Sequence, residues 1–284
     1  MQQKNLLTLL LVTVLMVFFN QSCNLVNPPE PTPTYIHVDS FNFIPTPNTG
    51  TSSHKITSVW AYFEGRTLGA FPIPCNIPII TSKPGQLILR PGITYDGIQD
   101  IQTIYFQYRY DTMTIQSNPG KITTVIPKTM YYSDTVLNIL NNDFESGNSF
   151  IKVDGDTGLN VTSNPEYVFE GVYGGLIVLD SQANATVMMQ QNFSKGGSPF
   201  VEINYKSTLP FQIGLRTVDN TGQSVVLYLA GFVPKSNWNK VYVGLQDFFN
   251  QFPNGSYNLV IRVLSSEPTK GYVALDNVKV VTEK

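Results

Sequence analysis

The sequence predicts an all-β chain built as two β-sandwich domains in succession. Apolar and polar residues alternate at period two through most of the chain, the signature of strands with one buried face. No stretch keeps a 3.6-residue apolar period over three turns, so amphipathic helices are not expected. Turn-forming steps such as Glu64-Gly65 and Lys83-Pro84-Gly85 punctuate the alternation at short intervals. The 284 residues suit about two domains. Only 13% are charged, which excludes coiled coils and helical repeats, since those need Glu, Lys and Arg in bulk. With 18 basic against 20 acidic residues there is no cationic excess to neutralise phosphates, so nucleic acid is excluded as a partner.

Residues 35–133 make the first expected domain, with strands at 36–44, 56–64, 67–73, 77–81, 86–90, 104–117 and 121–127. Strands that short and that closely spaced suit an immunoglobulin-like (Ig-like) sandwich. The run from Val59-Trp-Ala-Tyr-Phe-Glu-Gly through Pro84-Gly-Gln-Leu-Ile-Leu-Arg-Pro-Gly resembles surface-module repeats of the PEGA kind.

Residues 134–284 make the second, with strands at 136–140, 167–170, 176–179, 185–191, 200–206, 211–218, 224–232, 238–245, 257–264 and 272–281. This density fits a jelly-roll sandwich. Three segments frame it: Asn142-Asp-Phe-Glu-Ser-Gly, Trp238-Asn-Lys-Val-Tyr-Val-Gly-Leu and Val273-Ala-Leu-Asp-Asn-Val-Lys-Val. They resemble the jelly rolls of carbohydrate-binding modules and galactose-binding-like domains.

The N-terminus reads as an address. Lys4 precedes an apolar run over 6–19 that is too short to span a bilayer. Ser22 and Cys23 follow, and the segment resembles the lipobox of Bacteroidota lipoproteins. That resemblance implies a signal peptide at 1–22, acylation (palmitate) of Cys23, and a Pro-rich tether over 23–34 leading from the outer membrane. It leaves open whether the protein faces the cell surface or the periplasm. Cys75 is the other cysteine, and with Cys23 acylated it has no partner for a disulfide.

Candidates for chemistry are few. His37 and His54 lack metal-ligand spacing, Cys75 lacks a neighbouring base, and Glu166 and Glu170 straddle a short strand with surface parity. No catalytic residue is assigned and the protein is not expected to be an enzyme. In the jelly rolls just named, a carboxylate after the first strand and an Asp in the last hold a structural Ca²⁺. The resemblance implies that role for Glu145 and Asp276, with Asp143 and Asn277 as further oxygen donors. The alternative is a polar strand edge. Sugars are bound by flat aromatic faces beside amides, and Trp238 and Tyr242 share one face of their strand as candidate ligand contacts; the alternative for Trp238 is packing at the sandwich end. Asp111-Thr112-Met113 and Asp134-Thr135-Val136 resemble the Bacteroidota O-glycosylation triplet, which implies modification at Thr112 and Thr135. The architecture as a whole is similar to starch-binding lipoproteins. It implies a non-catalytic outer-membrane protein that binds a glycan through the jelly roll, or else a structural accessory subunit that binds other envelope proteins.

Overall fold

The computed structural model describes residues 30–47, 49–98, 101–180, 183–219, 221–252, 255–265 and 270–284; the expected signal peptide, Cys23 and most of the tether lie outside them. The first half contains β1 (Thr34–Val38), β2 (Asn42–Phe43), β3 (Ser58–Phe63), β4 (Arg66–Pro72), β5 (Cys75–Ile79), β6 (Gly85–Thr94), β7 (Gln102–Ile104), β8 (Asp111–Ile115), β9 (Ile122–Val125) and β10 (Lys128–Thr129). A three-stranded sheet, β5-β1-β9, faces a five-stranded one, β4-β3-β6-β7 with β8 also on β6. Alternate residues of each meet between them: Ile36, Val38, Ile77 and Ile79 against Val59, Ala61, Leu87 and Leu89. Glu64 and Gly65 join β3 to β4 with φ of 48° and 75°. Two successive positive φ angles suit the twist of a tight hairpin, as the Glu-Gly step implied.

The second half contains β11 (Leu137–Asn142), β12 (Phe150–Gly155), β13 (Asn160–Thr162), β14 (Gly174–Leu179), β15 (Asn184–Met189), β16 (Phe193–Ser194), β17 (Gly197–Ser207), β18 (Phe211–Val218), β19 (Ser224–Phe232), β20 (Lys235–Gly244), β21 (Ser256–Leu264) and β22 (Gly271–Glu283). Two six-stranded sheets form. One is β13-β14-β22-β17-β20 with β11 on β22, and the other is β12-β15-β21-β18-β19 with β16 on β21. The chain crosses repeatedly between them, giving the jelly-roll sandwich expected from the strand density. The inward residues of β15, β17, β18, β21 and β22 fill one core with Val187, Ile203, Ile213, Ile261 and Leu275.

Several elements depart from the sequence expectation. The strand expected over 104–117 ends at Ile104, and the chain turns through a segment that sends Tyr105 and Tyr108 into the interior before β8 begins. The strand expected at 167–170 is absent. A 3-10 turn at Pro165–Tyr167 stands there, capped by the Asn164 side chain, which accepts the Glu166 N–H. A short helix, α1 (Gln246–Gln251), follows β20 and buries Phe248 and Phe249. Six residues are too few to display a helical period.

The two halves are interlocked. Phe200, Tyr242 and Val281 of the second belong to the apolar cluster of the first. Tyr95 bridges to Tyr242, the Asp96 N–H donates to the Tyr242 carbonyl, and the Gly244 N–H donates to Asp96 Oδ1 at 2.8 Å. One outer face of the jelly roll is therefore covered by the first sandwich.

Candidate functional site

The covered face is built from residues that a strand pattern assigns to water. Along β17 and β20, Val201, Ile203, Val241 and Val243 point to the core, so Glu202, Asn204, Lys240 and Tyr242 point outward. All four are buried, because the first sandwich lies on them. Lys240 Nζ meets Glu202 Oε2 at 2.8 Å, and neither atom has a hydrogen-bond partner beyond this ion pair. Glu202 Oε1 accepts the Tyr105 hydroxyl at 2.6 Å and the Tyr131 hydroxyl at 2.5 Å. Tyr242 sits 3.2 Å, oxygen to oxygen, from Tyr108 and accepts the Lys55 N–H. Lys279 donates to the Thr49 carbonyl at 2.8 Å and stands 5.2 Å from the Tyr131 ring centre.

Burial opposes the Glu202 charge, but Lys240, Lys279 and the donated hydrogen bonds outweigh it and hold the carboxyl below its ordinary value. Burial, then the Glu202 charge, pushes Tyr105, Tyr108, Tyr131 and Tyr242 upward. Burial pulls Lys279 down to about 8 against the opposing pull of Glu202. The tyrosines packed around Glu202 fill the centre of the junction and leave no room there for a ligand. Tyr242, expected as a ligand contact, is only 1% exposed. Its side-chain direction on the strand is as expected, but a second domain covers that face.

The opposite sheet presents the jelly roll's uncovered face. Ala185, Val187, Ile213, Leu215, Leu259 and Ile261 face the core, so the intervening residues face out. The strand register sets Met188, Val260, Gly214 and Tyr228 in one row and Thr186, Arg262 and Gln212 in the next, with Asn258 and Arg216 beyond. Arg262 lies with its guanidinium carbon 3.8 Å from the Tyr228 ring centre, a cation–π stack, and its Nε donates to Gln212 Oε1 at 3.0 Å. Arg216 Nε donates to Ser224 Oγ at 2.7 Å, and Asn258 Nδ2 to the Met189 carbonyl at 3.1 Å. Gly214 makes room for the ring, since a Cβ there would come 2.9 Å from Tyr228 Cδ1. An aromatic ring, two guanidiniums and two amides, all partly exposed, thus share the outer sheet face above buried Thr186, Met188 and Val260. The signal for it was present in Gln212-Ile-Gly-Leu-Arg216 and Asn258-Leu-Val-Ile-Arg262, which place amide and guanidinium on one parity.

In the expected calcium set, Asp276, Glu145 and Asp143 each accept backbone N–H groups. Asp276 Oδ2 accepts the N–H groups of Phe169 and Glu170, and Oδ1 accepts that of Asn277. Glu145 Oε1 accepts those of Val172 and Tyr173. Asp143 accepts from Asn141 and from the Glu145 N–H. Calcium takes six to eight oxygen lone pairs. Here Asp276 Oδ2 and Glu145 Oε1 hold the 169–173 loop by its backbone donors. Among the described residues no group of three or more His, Cys, Asp or Glu could hold a metal. Burial pushes Asp276 up to about 6, against the three N–H bonds, which pull the other way. Asn277, at φ 48°, is buried with both side-chain polar atoms unpartnered.

Trp238 is half-buried and packs edge-on against Phe169, ring centres 5.5 Å apart, at the end of the sandwich. It forms no platform with Tyr242. Thr112, on β8, and Thr135 are both exposed, and Thr135 Oγ1 lies 2.6 Å from Ser133 Oγ. His37 Nδ1 bonds Asn76 Oδ1 at 2.8 Å, and His54 packs beside Phe43 with its ring centre 5.4 Å away. Burial raises the Cys75 thiol, which leaves it a poor nucleophile.

No family model matches the chain, and no curated protein matches it. Among solved structures, TmCBM61 in complex with β-1,4-galactotriose is similar over 50% of this chain and 94% of its own, at 14% identity and TM-score 0.35. A carbohydrate-binding module of the β-sandwich superfamily, described as promiscuous in specificity, covers 88% of this chain and 98% of its own at 15% identity and TM-score 0.41. The CBM22-1 xylan-binding domain of Paenibacillus barcinonensis Xyn10C covers 53% and 97% at 14% identity and TM-score 0.38.

Proposed function

We propose that this protein is a non-catalytic glycan-binding lipoprotein that holds its ligand on the open face of β12-β15-β21-β18-β19. The observation that carries the proposal is the Tyr228–Arg262 stack flanked by Gln212, Arg216 and Asn258. A sugar ring packs its C–H face on a flat aromatic or guanidinium plane, while its hydroxyls take hydrogen bonds from amides and guanidiniums at the edge. The Ig-like first sandwich then serves as a mount that covers the other sheet. Acylation at Cys23 would hold the chain on the outer membrane, with β1 starting at Thr34 where the Pro-rich tether ends. Thr112 and Thr135 stand exposed for O-glycosylation.

Retention on immobilised polysaccharides tests the assignment. Tyr228→Ala should abolish retention while the melting temperature stays within a few degrees of the parent, because the ring lies on a surface and leaves no core cavity. Undiminished retention by this variant would remove the sheet face from consideration. The second reading, an accessory subunit of an envelope complex, is favoured by Ile122 and Ile126, 61% and 62% exposed on and beside the edge strand β9. An unpaired edge with apolar side chains suits strand addition by a partner protein.

A further inference from the structure

We propose that the cleft between the two sandwiches is a second ligand site, built for a carboxylate-bearing sugar, a hexuronate. It is separate from the open sheet face and does not rest on that assignment. The cleft has a volume of about 470 Å³, within the range of small-molecule sites and larger than a bare anion needs. Both halves build it. Lys55 enters from the segment before β3, while Lys235 and Asn239 come from β20, and Lys55 Nζ donates to Asn239 Oδ1.

The electrostatics are one-sided. Among the described residues neither Lys55 nor Lys235 forms an ion pair, whereas Lys240, which also lines the cleft, is neutralised by Glu202. Asp96 is the one carboxylate in the lining, and its Oδ1 is occupied by the Gly244 N–H. Burial, and then the charge of Lys235, holds Lys55 below the ordinary lysine value. Two unpaired ammoniums beside low-dielectric walls focus a positive potential into the cleft, and an entering anion relieves their repulsion. The remaining lining selects a sugar over an inorganic ion. Ile98 and Val233, both exposed, give an apolar wall for a ring face, and the Thr57 and Thr94 hydroxyls, oriented by Gln102, keep acceptor lone pairs for its hydroxyls.

Calorimetric titration of the full chain with galacturonate, with a galacturonate oligomer and with neutral galactose tests this. The acidic sugars should bind and the neutral one should not, and added salt should weaken the binding. The double variant Lys55→Met, Lys235→Met, checked for native circular dichroism, should raise Kd by about tenfold or more, since each ammonium–carboxylate hydrogen bond is lost. The monosaccharide binding as well as the oligomer would assign the site to a free or terminal uronate; oligomer binding alone would assign it to a chain. Tyr228→Ala should leave these constants unchanged. The proposal is overturned if neither acidic sugar binds, if the double variant binds as well as the parent, if sulfate competes equally, or if Tyr228→Ala removes the binding.

Discussion

Raising the pH should unfold this protein through its buried tyrosines. Tyr105, Tyr108, Tyr131 and Tyr242 surround Glu202 at the junction, and burial together with that negative charge holds all four protonated well past the ordinary tyrosine value. In the unfolded chain the same groups ionise near pH 10. Above that pH the folded state retains protons that the unfolded state has released, so stability falls as pH rises. Each tyrosine contributes a loss of about 1–1.5 kcal/mol by pH 11, and the four together about 4–6 kcal/mol. Domains are stable by only about 5–15 kcal/mol, so the loss is decisive. Lys279 acts the other way in a lower window. With its folded value near 8, the unfolded chain binds the extra proton between about 8 and the ordinary lysine value, and stability climbs with pH there. The expected profile rises by about 3 kcal/mol between pH 8 and about 10.5 and collapses at about pH 11–12, where the tyrosine loss exceeds that gain. The assay follows phenolate absorbance beside circular dichroism for the 15 tyrosines. Exposed rings should titrate first and reversibly, and a second phase should coincide with loss of the β signal. A single reversible phase for all of them with the fold intact would refute the buried network.

Other outcomes follow from the same structure. Glu202→Ala leaves Lys240 buried and unpaired and should cost about 3–5 kcal/mol in denaturant melts, whereas Glu202→Gln with Lys240→Met should recover much of that loss. A chelator should leave the melting temperature unmoved, because Asp276 and Glu145 hold backbone N–H groups; a drop of several degrees, reversed by calcium, would restore the cation assignment. Cys23→Ala should shift the exported protein from the membrane to the soluble fraction, and continued membrane association would point to another anchor.

The sandwich class was legible because alternation is a local property. Val201, Ile203 and Tyr205 on one parity, with Glu202 and Asn204 on the other, announce a strand with two unlike faces. What alternation does not encode is what lies against the polar side. Glu202, Lys240 and Tyr242 read as solvent-facing and are buried, since the Glu202 partners Tyr105 and Tyr131 lie 97 and 71 residues away and carry no periodic mark. The proposed sheet-face site was missed for the converse reason. Tyr228 becomes a ligand candidate only when Gly214 on the neighbouring strand leaves room and Arg262, two strands away, supplies the stack. Both depend on register, which one strand alone does not fix.

The interlocked junction also limits how this chain can be recombined. A jelly roll joined to its neighbour by a linker can be moved between proteins like a cassette, since each end closes on itself. Here residues 134–284 cut free would show water a sheet bearing Phe200, Tyr242 and Val281 beside a charged pair selected for the dark. The first sandwich cut free would lose the ring that fills its own floor. Each half relies on the other for a buried surface, so a change in the spacing or sequence of one must be answered in the other. Lineages of such a protein should therefore diversify on the open sheet and in the loops while the junction travels as a fixed pair.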